Sequence, residues 1–366
     1  MSRKLDIPWF GWAINHTARR RTPGGTCQAT RHGVLWRQTM GEGNSMSIYR
    51  RPLLLASLAL PFLPNPAAAA DRMVVSEYGV VLHSLPWAVA LQAGLLDRLG
   101  TGVDGFVGAN GGGTAVRNMM ASDLPFAEIS VPAALAAART GIDLRFLFNS
   151  VNNMGELSWV VPTTSPLRTL ADLKGKRVAF TAPRSTTEMV LRIILNRAGL
   201  TDQVQLVPAG GMGAGITALN QGAVDAAPMV DPLLSTATDR YRILFAVNDQ
   251  IPSLCWSVGV CTAAFAQANA DRIRHIIAAR RQALDLMRND QAMAASVYGR
   301  VWNIDPRLAS GLLAKLLAMN FWSPGNFNLP GLQIELEGMR LVGLLDAKPD
   351  LTALIDRSYL PDDLRS

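Results

Sequence analysis

From residue 73 onward the chain alternates between short apolar runs and stretches where apolar residues recur every three or four positions. The first pattern suits buried strands and the second amphipathic helices. Strands are expected at 73–78, 103–107, 144–151, 204–207 and 223–230, with others just after Lys176 and within 255–261, while 157–162 reads as a crossover into a second lobe and 242–247 as the end of that lobe. Helices are expected at 86–93, 115–120, 189–198 and 214–221, and an Ala-rich helix ends near Arg139. From Ala268 the chain reads as helical, with an amphipathic run over 272–286 and a last short helix over 351–360. Along 272–286, Arg280 and Arg281 read as part of a solvated face. Strand and helix in alternation imply an α/β protein whose loops gather on one edge of a parallel sheet.

The turns carry the candidate chemistry. Gly111-Gly112-Gly113-Thr114 follows one strand and Gly210-Gly211-Met212-Gly213 another. Glycine lets backbone amides approach a ligand, and Thr114 is a candidate cap for the helix after it. Ser185 or Thr186, with Glu188 two or three residues on, is a helix N-terminus signature. Such termini aim N–H groups at one spot, where the helix dipole favours a partly negative ligand. Residues 113–127 share a plan with 213–226, namely glycine loop, short helix, polar stop and short strand. One copy in each of two related lobes would produce that echo. The glycines lack the Lys-Ser/Thr pair of a phosphate loop and the order of a dinucleotide fingerprint.

Three sets in order carry a family likeness: Asp172-Leu173-Lys174-Gly175-Lys176 before a strand, Ser185-Thr186-Thr187 after it, and Ala218-Leu219-Asn220-Gln221-Gly222-Ala223-Val224-Asp225-Ala226-Ala227. This stretch resembles the middle lobe of substrate-binding proteins of ABC importers. The subgroup includes nitrate, taurine and alkanesulfonate binders and thiamine-precursor-binding proteins. More loosely, the likeness runs from about Met73 to the C-terminus. It implies the type II periplasmic binding protein fold: two lobes, each a mostly parallel sheet flanked by helices, with the ligand cleft between them. Residues 71–160 and 252–366 would form lobe 1 and residues 161–251 lobe 2, joined by two crossovers that act as a hinge.

The resemblance also implies a function. A small solute would be captured between the lobes and delivered to a permease in the inner membrane, driven by a separate ATPase. A ligand sensor serving a receptor and a thiamine-precursor-synthase-like enzyme are the alternatives. Those synthases depend on a cysteine-rich segment that this chain lacks. A monomer is expected, and no cofactor is implied. Gly112, Gly113, Thr114, Ser130, Ser185 and Thr186 would hydrogen-bond the ligand. His83, Trp159, Met229 and Asp231 would edge the pocket, and Arg184 would clamp an acidic group. Each has a plainer reading: His83 as a solvent-facing loop residue, Trp159 as a core residue bracing the hinge, and Arg184 as a surface charge.

Charge narrows the field. The chain of 366 residues has a net charge of +7, which could suggest nucleic acid. Residues 1–70 hold 9 basic and 2 acidic residues, however, while the remainder holds 26 of each. The folded body therefore needs no polyanionic partner. The leader reads as a secretory signal: a basic start at 46–51, an apolar run over 52–63, and Ala67-Ala68-Ala69-Ala70 before an expected cleavage. Periplasmic export follows from that reading. Residues 1–45 read as disordered or as a mis-assigned start, with Met46 the expected first residue. No GxSxG, HExxH or CxxC spacing occurs, so neither a hydrolase elbow nor a metal site is indicated. Cys255 and Cys261 are expected as buried free thiols.

Overall fold

The computed structural model describes residues 71–109, 111–346 and 349–365. The signal segment, its cleavage point and the reading of residues 1–45 lie outside the described residues. Among the described residues ten strands are formed: β1 (Asp71–Ser76), β2 (Val103–Ala109), β3 (Phe126–Ser130), β4 (Leu144–Asn149), β5 (Leu157–Pro162), β6 (Arg177–Phe180), β7 (Gln205–Pro208), β8 (Ala227–Val230), β9 (Tyr241–Ala246) and β10 (Ser257–Thr262). The first sheet has the order β2-β1-β3-β10-β4. The second lobe holds a sheet β8-β5-β9 and a pair β6-β7. A parallel bridge between Val178 and Ala226 joins that pair to the chain entering β8.

Parallel pairing holds where the sequence repeats strand and helix. β1 runs parallel to β2 and β3, and β6 runs parallel to β7. The strands that follow the crossovers behave differently. β10 pairs antiparallel with β3 and β4, and β5 pairs antiparallel with β8 and β9. Each enters its sheet from the hinge, at the edge where the βα-unit strands end, so it must run against them. The sheets are therefore mixed, with a parallel half in each lobe.

The longer helices are α1 (Leu85–Gln92), α2 (Gly112–Met120), α3 (Val131–Arg139), α4 (Thr186–Arg197), α5 (Met212–Asn220), α6 (Ala270–Asn289), α7 (Gln291–Trp302), α8 (Pro306–Ala318) and α9 (Leu329–Leu341). Ser185 caps α4 by accepting from Glu188 N, as its position before Glu188 implies. The buried face of α6 is Ile273, Ile276, Ile277, Arg280, Ala283, Leu284 and Met287. Arg280 therefore belongs to the core stripe at helical spacing, not to a solvated face. Residues 351–360 form no α-helix; only Arg357–Tyr359 makes a short 3-10 turn. Hydrogen bonds from Phe146 N to Leu354 O and from Asp356 N to Phe146 O pin this tail alongside β4. That pinning takes the amide and carbonyl a helix would use.

One apolar cluster runs from the first sheet through α6 to α9 and on into α4 of the second lobe. At the α9–α4 contact, a Cβ on Gly338 would lie 2.9 Å from Ile193 Cδ1 and 3.1 Å from Met189 Cβ. A smaller cluster, including Val160, Ala179, Leu219, Ala227 and Met229, fills the second lobe. Cys255 and Cys261 are buried free thiols, as expected. No described helix is long and apolar enough to cross a membrane.

Candidate functional site

At one edge of the first sheet the ends of β1 and β3 meet the start of β10. Ser130 lies opposite Ser257, and Val131 N donates to Trp256 O at 2.9 Å. The start of α2 closes on the same edge. A Cβ on Gly112 would come within 2.3 Å of Ala133 Cβ and 3.1 Å of Ser130 Oγ, so only glycine allows this approach. Gly111, at φ 81°, is the N-cap residue. Thr114 instead lies inside the first turn, where its hydroxyl accepts from Arg117 Nη2 at 2.9 Å. Gly113 occupies the first turn beside it.

His83 is 1% exposed, which excludes a solvent-facing role. Its ring stands edge-on to Trp256, with centroids 4.9 Å apart. Both His83 ring nitrogens, Trp256 Nε1 and Ser257 Oγ are buried without a hydrogen-bond partner. Buried polar atoms ordinarily find partners, so this neighbourhood is where a ligand or water would supply them. Burial pushes the His83 pKa down, against the pull of the Glu128 carboxylate; Arg280 adds to the lowering, and the Ser76 backbone, close to the ring but outside hydrogen-bond geometry, opposes it.

Below this edge Glu128 anchors a buried polar group. It accepts from Trp87 Nε1 at 2.6 Å and from the Ser150 hydroxyl. Arg280 Nε and His83 Nε2 each lie 3.6 Å from its oxygens. Arg280 also donates to Ser323 O at 2.8 Å and to Ser150 O at 2.6 Å, with its guanidinium over the Phe148 ring. The helix-borne charge thus holds the ends of β3 and β4 together.

In the second lobe, Thr187 Oγ1 accepts from Thr181 N at 2.9 Å and lies 2.8 Å from Thr181 Oγ1 and 2.9 Å from Ser185 Oγ. Gly210 N donates to Thr181 O at 2.8 Å, which brings the second glycine loop beside these hydroxyls. Ser185 therefore joins this hydroxyl network as well as capping α4. Thr186 is adjacent and half-buried, but the hydroxyl in the network belongs to Thr187. Arg184 is exposed at φ 63°, and its backbone N–H donates to Glu188 Oε2 at 2.6 Å. A second arginine, Arg192, holds the same carboxylate at 2.8 Å.

Three expected pocket residues lie elsewhere. Trp159 is 0% exposed, stacks on Phe245 at 5.3 Å and donates from Nε1 to Ala179 O at 2.9 Å. It locks the β8-β5-β9 sheet to β6, as a core residue. Met229 is buried in the second-lobe cluster, because its position on β8 faces inward. Asp231 is buried at the hinge: Oδ1 accepts from Ser235 Oγ at 2.6 Å, and Oδ2 lies 3.0 Å from Lys315 Nζ. Beside it, Glu156 O accepts from Asp231 N at 3.0 Å, and Glu156 Oε2 accepts from Leu82 N at 3.0 Å.

Sequence reasoning missed Trp256, Ser257, Thr187, Glu128 and Glu156. Of these, Thr187 had a legible signal, its place in the Ser185-Thr186-Thr187 set; Arg280, read as solvated, had one in the Ile273–Ile277–Ala283–Leu284 stripe. Among the described residues no group of three or more potential ligands could hold a metal ion.

A family model described as NMT1/THI5 like matches residues 85–294, more than half of the chain. Solved structures of similar fold include the periplasmic aliphatic sulphonate binding protein SsuA of Escherichia coli. It is 20% identical with a TM-score of 0.65, over 79% of this chain and 92% of that one. The alkanesulfonate-binding protein SsuA of Xanthomonas axonopodis pv. citri, bound to MOPS, is 21% identical with a TM-score of 0.63, over 80% and 100%. The desulfurization enzyme DszB is also similar, at 16% identity and a TM-score of 0.56, over 79% and 97%. These likenesses establish the two-lobed periplasmic binding protein fold. No curated protein sequence matches the chain.

Proposed function

The chain belongs to the NMT1/THI5-like family, and from that premise we propose that it is an exported solute-binding protein. It captures a small ligand between its lobes and delivers it to an ABC permease powered by a separate ATPase. It acts as a monomer in the periplasm; because all of β5 pairs with β8 and β9, the lobe boundary falls before Leu157 and not after residue 160, with residues 71–156 and 252–366 as one lobe and 157–251 as the other. The observation that carries the reading is the unpartnered set on the first lobe: His83, Trp256 and Ser257, beside Ser130 and the α2 N-terminus. The Thr181, Ser185 and Thr187 hydroxyls with the Gly210-Gly211 turn are its counterpart on the second lobe. Gly112, Gly113, Thr114, Thr186 and Arg184 border these two surfaces.

Sulfonate-binding proteins of the same fold support an oxyanion or sulfonate ligand, which helix N-termini and hydroxyls suit. DszB keeps the enzyme alternative open. Against a thiol nucleophile, burial pushes the Cys255 thiol far up and the Cys261 thiol up to about 12. A thermal-shift screen against sulfonates, nitrate, carboxylates, pyrimidines and amino acids tests the reading. A ligand at about 100 times its Kd adds roughly 2.7 kcal/mol. A shift with no turnover of the hit, followed by chromatography, is the expected result. Conversion of the hit to product would replace the binder with an enzyme, and a partner receptor without a permease would favour the sensor.

A further inference from the structure

The hinge carries a set of charges apart from the two surfaces proposed to hold the ligand. Glu156 lies in the crossover between β4 and β5, and its two ends are tied to opposite lobes. Its side chain accepts from Leu82 N of the first lobe, and its carbonyl accepts from Asp231 N at the end of β8. Asp231 in turn meets Lys315 Nζ of α8 at 3.0 Å. Glu156 is 2% exposed and Asp231 0%. Two further titratable groups face this cluster. Glu77 follows β1, and the hydroxyl of Tyr298 on α7 is buried with no hydrogen-bond partner.

We propose that Glu156, Asp231 and Lys315 form a proton-controlled latch across the hinge, closed while Glu156 is protonated and released when it ionises. With Glu156 neutral, Asp231 and Lys315 make a balanced pair. Once Glu156 ionises, its carboxylate joins Asp231 and Glu77, with the half-exposed Lys315 as the one cation facing them among the described residues, and an excess of negative charge results at the hinge. Such a charge is costly away from water. Separation of the lobes breaks the Leu82 or the Lys315 link and admits water, which relieves the cost.

The titrations of Glu156, Glu77 and Tyr298 agree with this arrangement. Burial pushes the Glu156 carboxyl up to about 8, opposed by the Leu82 N–H, with Asp231 and Glu77 adding to the rise and Lys315 opposing it. Burial likewise raises Glu77. Tyr298 is raised by burial and by the charges of Glu156 and Asp231. In the opened state Glu156 meets water and its pKa falls back towards the ordinary 4.5. The closed state therefore binds the proton more tightly, and rising pH favours opening between those two values. The latch depends on the hinge and not on the identity of the solute.

The test is interlobe energy transfer on the full chain in a Cys27→Ser background, with dyes at Asp123→Cys and Gln221→Cys. Both positions are exposed, one on each lobe, while Cys255 and Cys261 are buried. Without added ligand, the interlobe distance should lengthen as pH rises from about 5.5 to about 9, the interval bracketing the closed-state value. Glu156→Gln should keep the short distance throughout. An unchanged wild-type distance across that range overturns the latch on its own, whatever the variant does. So does an unaltered titration in a Glu156→Gln protein that retains the wild-type circular dichroism spectrum.

Discussion

At the scale of single residues the decisive feature is how charge is buried. Arg280 is 2% exposed and is the cation nearest the buried Glu128. Removing one partner of a buried pair strands the other, at a cost of about 3–5 kcal/mol. Arg280→Ala should lower stability by about that much in urea unfolding. Glu128→Gln added to Arg280→Ala should recover part of the loss. Additive losses in the double variant would show that the two charges do not act as a pair.

The buried carboxylates also set a pH dependence. Burial pushes Glu335 on α9 up to about 8, as it does Glu156. A raised carboxyl pKa means that the folded state holds the proton more tightly than the unfolded chain. The stabilisation is then present below the unfolded value of 4.5 and is lost as pH rises through about 8. His83 acts in the opposite sense, because its lowered pKa costs stability only as pH falls through the ordinary 6.5. Between pH 6.5 and 8 the carboxylates therefore govern. The Tm should fall across that interval, and Glu156→Gln or Glu335→Gln should each flatten the slope. A Tm that rises from pH 6.5 to 8 would contradict both assignments.

At the scale of elements, close helix approaches define the edge of the first sheet. Gly112→Ala puts a methyl 2.3 Å from Ala133 Cβ, so α2 must shift away from α3. Overpacking of this kind costs about 1–3 kcal/mol. The same shift would disturb Ser130, so any solute found in the screen should bind more weakly to Gly112→Ala than to Gly113→Ala. Equal affinities would separate α2 from the site. Strands and caps here were legible because their signals are local: β2 starts at the expected Val103, and Ser185 caps α4. The direction of β10 and the roles of Trp256 and Ser257 were not, because they depend on where the chain re-enters a distant sheet. Trp159 was read two ways for the same reason. An apolar strand residue looks alike in sequence whether its neighbour is a ligand or Phe245.

At the scale of the whole molecule, the two lobes share a core. The cluster that begins on β1 and β3 continues through α9 into Met189 and Ile193 of α4. Gly338 permits the near contact between those helices, and Arg197 meets Glu337 at 3.2 Å beside it. Lobes linked only by two crossovers would be free to unfold in separate steps, as chains with several domains commonly do. A shared apolar contact makes the loss of one lobe expose surface on the other, which couples them. Calorimetry should therefore give a single transition whose calorimetric and van't Hoff enthalpies agree. Gly338→Leu forces a branched side chain between α9 and α4 and should split that transition in two, while each lobe keeps its own sheet. Two resolved transitions in the unaltered protein would mean that the α9–α4 contact is too weak to couple the lobes.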